Sequence, residues 1–137
     1  MQNFDVQAVS IEAPKKRVFA FVAEPANLPR WTAAFRAADR RSARMETAEG
    51  TVNVKLETDS RELPGTIDWR MTFPDGAVAA AFSRVTPDGD SASIFSFVLM
   101  APPAPLEALE GALEKQREVL AGELSRLKQI LESDDRS

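Results

Sequence analysis

Cysteine, histidine and tyrosine are absent from this chain of 137 residues. Without cysteine there are no disulfides, no thiolate catalysis and no zinc–sulfur sites, which is compatible with a reducing cytoplasm. Without histidine the chain lacks the commonest metal ligand, the commonest general base at neutral pH and every serine–histidine arrangement. The carboxylates show no calcium-loop spacing. We therefore predict no metal and no cofactor, and an enzyme built on this chain would depend on Asp, Glu, Lys, Arg or Ser.

Long apolar runs are also missing. No segment approaches the roughly 18 consecutive apolar residues of a membrane-spanning helix, and residues 1–10 lack the basic and apolar regions of a signal peptide. We therefore expect no membrane span and a cytoplasmic location. The net charge of −4 argues against nucleic acid as a partner.

The acidic balance has one local exception, a group of arginines between residues 30 and 44 in which Asp39 is the sole acid. Such a group is typical of a solvent-exposed strand face, and the alternative is an anion-binding patch. We call these five residues the arginine cluster: Arg30, Arg36, Arg40, Arg41 and Arg44.

The most informative stretch is residues 105–132, where leucine recurs every seven residues at positions 106, 113, 120 and 127. Three further leucines widen this stripe, and at about 100° per residue all seven fall on one face of a helix. The alternate heptad positions include Gln116 and Glu123, which do not suit a coiled-coil seam. We therefore predict one long amphipathic helix that packs within its own chain and is not a leucine zipper.

The rest of the chain reads as one strand, two short helices and a run of strands. Residues 4–11 alternate apolar and polar side chains, as a strand does. Pro14 and Pro25 delimit a short helix, and Trp31 belongs to a second short helix or turn after it. From residue 37 onward the periodicity changes to two. The strands predicted there cover residues 37–47, 51–58, 66–73, 77–85 and 91–100.

This order of elements predicts a single α+β domain. An antiparallel sheet with one apolar face and a long amphipathic helix bury each other's apolar surfaces if the sheet curls around the helix. The length suits one domain with a substantial core. We assign the domain to residues 1–132 and expect residues 133–137 to form a loose tail.

Several motifs resemble one known superfamily. They are VSIEAP at 9–14 with VFAFV at 18–22, EPANLPRW at 24–31, GTIDW at 65–69, PDG at 74–76 and LSRLKQILE at 124–132. The stretch at 24–31 is similar to the helix-pair signature of the START-like, or SRPBCC, superfamily, and the chain resembles its small bacterial polyketide cyclase/dehydrase-like members. The resemblance implies the helix-grip fold, in which a curved antiparallel sheet wraps around one long C-terminal helix.

The resemblance also implies a cavity between the sheet and the long helix, which in relatives holds an apolar ligand. The alternative is a solid core, because large side chains such as Trp69 and Phe97 could fill the space. An apolar wall with a few polar groups is what a small-molecule site requires. The expected lining residues are Trp31, Phe35, Trp69, Met71, Phe82, Arg84, Phe95, Phe97, Leu113, Gln116 and Leu120.

Two of these residues are polar and have alternative roles. Gln116 lies at the edge of the leucine stripe, where it could bind a ligand or could instead bond a strand end or a water. Arg84 shares strand parity with Phe82, which suggests an inward guanidinium able to hold a carboxylate, and the alternative is a side chain that reaches solvent.

The function that we predict is non-catalytic binding of a small hydrophobic molecule by a monomer or homodimer. The alternatives are a cyclase or dehydratase that acts by shaping and desolvating its substrate, and a protein-interaction module of the chaperone-activator type. Binding is expected to depend on Trp69 and Phe97, because burial against a large ring is worth more than an exposed charge.

Overall fold

The computed structural model describes residues 4–47, 50–100 and 106–134, with side chains for all of these except 47, 106–113 and 134. It contains one antiparallel sheet, two short helices near the start and one long helix at the end, as the sequence predicts. In chain order the elements are β1 (Phe4–Ile11), α1 (Lys15–Ala23), a 3₁₀ turn (Pro25–Asn27), α2 (Leu28–Trp31), β2 (Phe35–Ala38), β3 (Ser42–Thr47), β4 (Gly50–Arg61), β5 (Thr66–Thr72), β6 (Val78–Asp88), β7 (Ala92–Met100) and α3 (Leu106–Asp134).

The seven strands lie in the order β1-β7-β6-β5-β4-β3-β2, and every neighbouring pair is antiparallel. β1 and β2 lie at opposite edges of the sheet, and β1 pairs with β7. The segment that contains α1 and α2 therefore crosses from one edge of the sheet to the other. The sheet is curled, and α3 packs against it, which is the α+β helix-grip arrangement.

The long helix is a single element of 29 residues, close to the predicted bounds. Its leucine stripe is its buried face: Leu120, Leu124, Leu127 and Leu131 are each at most 3% exposed. Pro105, where we expected the helix to begin, lies outside the described residues, as do residues 135–137 of the expected tail.

Polar contacts hold α3 to β1 on one side and to α2 on the other. Lys128 Nζ donates to the carbonyl of Ser10 on β1 at 2.8 Å, and the Glu132 carboxylate accepts from the Glu12 backbone N–H at 2.9 Å. On the other side, Arg126 Nε donates to the carbonyl of Arg30 on α2. α3 is therefore positioned between β1 and α2, over the concave face of the sheet.

The single strand predicted for residues 37–47 is wrong, because the structure has two strands there. β2 and β3 form a hairpin, and the carboxylate of Asp39 at its turn accepts hydrogen bonds from the backbone N–H groups of Arg41 and Ser42 at 2.8 and 2.9 Å. These bonds also hold the pKa of Asp39 below its ordinary value. Asp39, the acid that lies among these arginines in the sequence, thus stabilises the turn between β2 and β3.

The alternation predicted for β1 is present, but its polar members face the helix. Gln7 Nε2 donates to the carbonyl of Arg117 on α3 at 2.9 Å and to Asp5 Oδ2 at 2.7 Å, while Phe4 and Val6 are 41% and 55% exposed. Asp5 also lies 3.4 Å from the Arg117 guanidinium. Near its start, β1 therefore contacts α3 through polar groups rather than through apolar packing.

Candidate functional site

A cavity of about 450 Å³ lies between the sheet, α2 and α3. Its volume is within the range of roughly 300–1,000 Å³ that small-molecule sites occupy. The sheet contributes residues from β2, β3, β5, β6 and β7, and α3 contributes residues from the segment 116–123. Of the two expectations, a solid core or a hollow one, the structure has the hollow core.

Two aromatic rings of the wall stack on each other. Trp69 and Phe97 stack with ring centres 5.8 Å apart and planes inclined by 29°. The direct β5–β6 partner of Trp69 is Ala81, which in turn pairs with Leu99 on β7. A small residue thus separates two large ones on the inner face, and this leaves room above β6.

Seven of the expected residues line the cavity together. They come from α2, three strands and α3, which are distant in sequence, so the fold is what brings them together. They are Trp31, Phe35, Trp69, Met71, Phe97, Gln116 and Leu120.

The other four expected residues are placed differently. Phe95 is fully buried beneath the cavity wall, where its ring meets Trp31 edge-on at 6.0 Å. Leu113 belongs to α3, but its side chain is not among those that the structure describes. Phe82 and Arg84 lie on the outer face of the sheet, both exposed.

The parity that we expected for β6 is therefore wrong by one residue. Ala79, Ala81, Ser83 and Val85 face inward, and the Ser83 hydroxyl donates to the Ile67 carbonyl at 2.7 Å. Arg84 Nε instead donates to the carbonyl of Pro64 on the outside at 3.1 Å. Small residues occupy both parities of this strand, so alternation alone does not determine which side is buried.

Several lining residues were not predicted. The run of alanines in β6 was visible as a strand of small residues, and Glu123 was visible as a polar residue in an apolar heptad position. Neither pattern by itself indicates a cavity. The unpredicted members are Leu28, Thr32, Ala33, Ala34, Met45, Phe73, Asp75, Ala77, Ala79, Ala80, Ala81, Leu99, Met100, Val119 and Glu123.

Three buried polar atoms at the cavity have no hydrogen-bond partner among the described residues. They are Nε1 of Trp31, Nε1 of Trp69 and Oε1 of Gln116. An unpaired buried donor or acceptor costs about 1–3 kcal/mol. All three atoms are inaccessible to solvent, so they are a cost to the fold and are not exposed to the cavity.

Glu123 is an acidic residue of the cavity lining, near the junction of α2 and α3. Its Oε2 accepts a hydrogen bond of 2.6 Å from the backbone N–H of Ala33. Burial raises the pKa of the Glu123 carboxyl above its ordinary value, and the bond from Ala33 partly opposes that shift. Burial thus disfavours the charged form of this carboxyl group at the cavity wall.

We expect Glu123→Gln to raise the melting temperature at neutral pH. The folded-state pKa of Glu123 lies above the ordinary 4.5, so folding stability is lost as pH rises through that pKa. Glutamine removes this ionisation and keeps an acceptor for the Ala33 N–H. The gain should shrink on acidification and vanish below about pH 4.5, where the wild-type carboxyl is protonated in both states.

The measurement is thermal unfolding followed by circular dichroism across this pH range. Glu118→Gln is the matched control, because Glu118 is exposed on the same helix and lies outside the cavity lining. A Glu123→Gln variant that is less stable than wild type at neutral pH would contradict the expectation.

The arginine cluster lies away from the cavity lining. Arg36, Arg40, Arg41 and Arg44 are exposed on the β2–β3 hairpin, and Arg36 Nε lies 3.4 Å from the Glu46 carboxylate. The guanidinium of Arg30 lies 5.0 Å from the centre of the Phe21 ring. The geometry is that of an exposed strand face, the first of the two alternatives.

The metal and membrane predictions can be compared with the described residues only. Among the side chains that the structure describes, no group of three acidic residues is arranged to hold a metal ion. No helix in these ranges has the length and apolar composition needed to cross a membrane.

Comparison with solved structures finds the same fold in several proteins. An aromatase/cyclase, Zhui from Streptomyces sp. R1128, superposes with a TM-score of 0.71 at 12% identity, covering 94% of this chain and 93% of that one. The protein XoxI from Bacillus cereus gives 0.70 at 13% identity, covering 95% and 96%. A START superfamily protein from Mycobacterium smegmatis gives 0.63 at 13% identity, covering 94% and 99%. At these identities the likeness shows the fold alone.

Sequence comparison identifies the family. No curated protein sequence matches this chain. One family model does, that of polyketide cyclase / dehydrase and lipid transport proteins, and it matches residues 1–132. Because that match spans nearly the whole chain, the protein belongs to the polyketide cyclase / dehydrase and lipid transport family and has the START-like, SRPBCC fold.

Proposed function

We propose that this protein binds a small hydrophobic molecule in the cavity between the sheet and α3 and does not change it chemically. The observation that carries the proposal is the cavity of about 450 Å³, whose largely apolar lining includes the stacked rings of Trp69 and Phe97. Apolar walls supply affinity, and a few polar groups fix the orientation of a ligand. The family description, which includes lipid transport, supports the same proposal.

The chemistry available in the cavity favours binding over catalysis. The chain has no histidine, cysteine or tyrosine, so acid–base work would fall to the carboxylates of Asp75 and Glu123. Asp75 is exposed in the β5–β6 turn, where its Oδ1 accepts a bond of 2.9 Å from the backbone N–H of Ala77. Glu123 is then the one partly buried carboxyl group among the described lining residues.

We expect Trp69→Ala to weaken binding of a neutral apolar probe, N-phenyl-1-naphthylamine, by at least about tenfold. The indole of Trp69 is 96% buried and stacks on Phe97, so its removal deletes a large part of the wall. Burial against such a ring is worth about 1.5–3 kcal/mol, and about 1.4 kcal/mol corresponds to tenfold in affinity. Probe fluorescence titrated against protein gives the dissociation constant.

Two further variants make the test independent of folding. Ala79→Leu adds bulk to the cavity from β6 and removes no existing contact, so it should also weaken the probe. Arg40→Ala, on the exposed hairpin, should leave affinity unchanged. If Arg40→Ala abolishes binding while Trp69→Ala and Ala79→Leu retain it, the arginine cluster is the site and the proposed function is wrong.

A further inference from the structure

The charges at the cavity are of one sign. Among the described residues that line it, the charged ones are Asp75 and Glu123, and none is lysine or arginine. The nearest arginines along the α2–α3 contact are otherwise engaged: Arg30 stacks on Phe21, and Arg126 Nε bonds the Arg30 carbonyl. A bound anion would therefore meet a carboxylate and no lining cation.

The aromatic rings that line the cavity can attract a cation. Aromatic faces carry negative electrostatic potential, and a cation within about 6 Å of a ring centre is stabilised by it, most strongly by tryptophan. Five rings line this cavity. They are Trp31, Phe35, Trp69, Phe73 and Phe97.

The cost of burying a carboxylate in this cavity points the same way. A bound carboxylate would place its charge beside Glu123 without an opposite charge among the described lining residues, which is costly.

We propose, building on the function proposed above, that the cavity selects hydrophobic molecules bearing a protonated nitrogen and rejects carboxylates of the same size. Glu123 is the counter-charge, and the aromatic wall surrounds the cation. The desolvated state of Glu123 fits this role, because a cationic ligand would restore the electrostatic stabilisation that burial removes. Fatty acids and aromatic acids would then be poor ligands.

The test uses three naphthalene derivatives of nearly equal size, each competing with N-phenyl-1-naphthylamine near neutral pH. They are 1-naphthylmethylamine, which is cationic, 1-naphthalenemethanol, which is neutral, and 1-naphthoate, which is anionic. We expect the amine to bind about tenfold more tightly than the naphthoate, with the alcohol between them. Glu123→Gln should weaken the amine severalfold and leave the alcohol unchanged, and the control Glu118→Gln should change neither.

The outcomes separate this inference from the function on which it rests. If the naphthoate binds as tightly as the amine while the alcohol binds normally, the selectivity is wrong and the hydrophobic site remains. If Glu123→Gln weakens the amine and the alcohol equally, Glu123 only shapes the wall and is not the counter-charge. If the probe and all three compounds fail to bind, both proposals are wrong.

Discussion

Gly65→Ala is expected to destabilise the protein by about 2–4 kcal/mol. Gly65 lies in the β4–β5 turn with a φ of 79°, a conformation that residues with a side chain adopt only with strain. A Cβ at this position would also clash with the Val85 carbonyl oxygen and would come within 3.1 Å of Lys15 Cε. The first obstacle is backbone, which does not move aside as a flexible side chain would.

The clash matters because hydrogen bonds attach this turn to β6 and to α1. The Val85 N–H donates to the Gly65 carbonyl at 2.8 Å, which holds the turn to β6. Lys15 Nζ donates to the Leu63 carbonyl at 2.7 Å, which holds the same turn to α1. Relieving the clash would separate the turn from β6 and weaken both attachments.

Gly89→Ala is the matched control, because Gly89 has nearly the same φ, 76°, but open space where a Cβ would be. It should lose only the conformational term, about 1–2 kcal/mol. Urea unfolding of the two variants measures the difference. Equal losses at both glycines would show that the close approach to Val85 has no energetic weight.

The fold could be predicted because its two periodicities are clear. The leucines of α3 recur at helical spacing, and the apolar residues of β5 alternate without interruption, so the buried faces of both elements follow from sequence. Ile67, Trp69 and Met71 are all buried as that alternation requires. The turn residues between strands then fix the antiparallel order.

Side-chain size and polarity do not follow burial in two strands, and in β6 this made the predicted parity wrong. In β6 the inward residues are small because they lie under a cavity, so the larger Phe82 on the outer face suggested the opposite parity. In β1 the inward Asp5 and Gln7 are polar because they bond the backbone and guanidinium of Arg117. Both features depend on what α3 brings opposite the strand, and the local sequence carries no sign of it.

The site was predictable only in part, for the same reason. Trp69 follows from strand alternation and Phe97 from the family resemblance, but the volume of about 450 Å³ arises from how β6, α2 and α3 are spaced. Glu123 stood out in the sequence as an acid in an apolar heptad position. Its contact with Ala33 depends on the segment after α2, which is 90 residues away in sequence.

Leu127→Ala is expected to lower the free energy of unfolding by about 3–5 kcal/mol. Leu127 is fully buried in the α3 stripe, and alanine removes most of its side chain while favouring the helix itself, so the loss measures packing against the sheet. Leu120 borders the cavity, so Leu120→Ala should cost less, about 2–3 kcal/mol. Ser125→Ala, on the exposed face of the same helix, should stay within about 0.5 kcal/mol of wild type. Chemical denaturation of the three variants tests this: a Leu127→Ala variant as stable as Ser125→Ala would mean that the leucine stripe does not pack against the sheet.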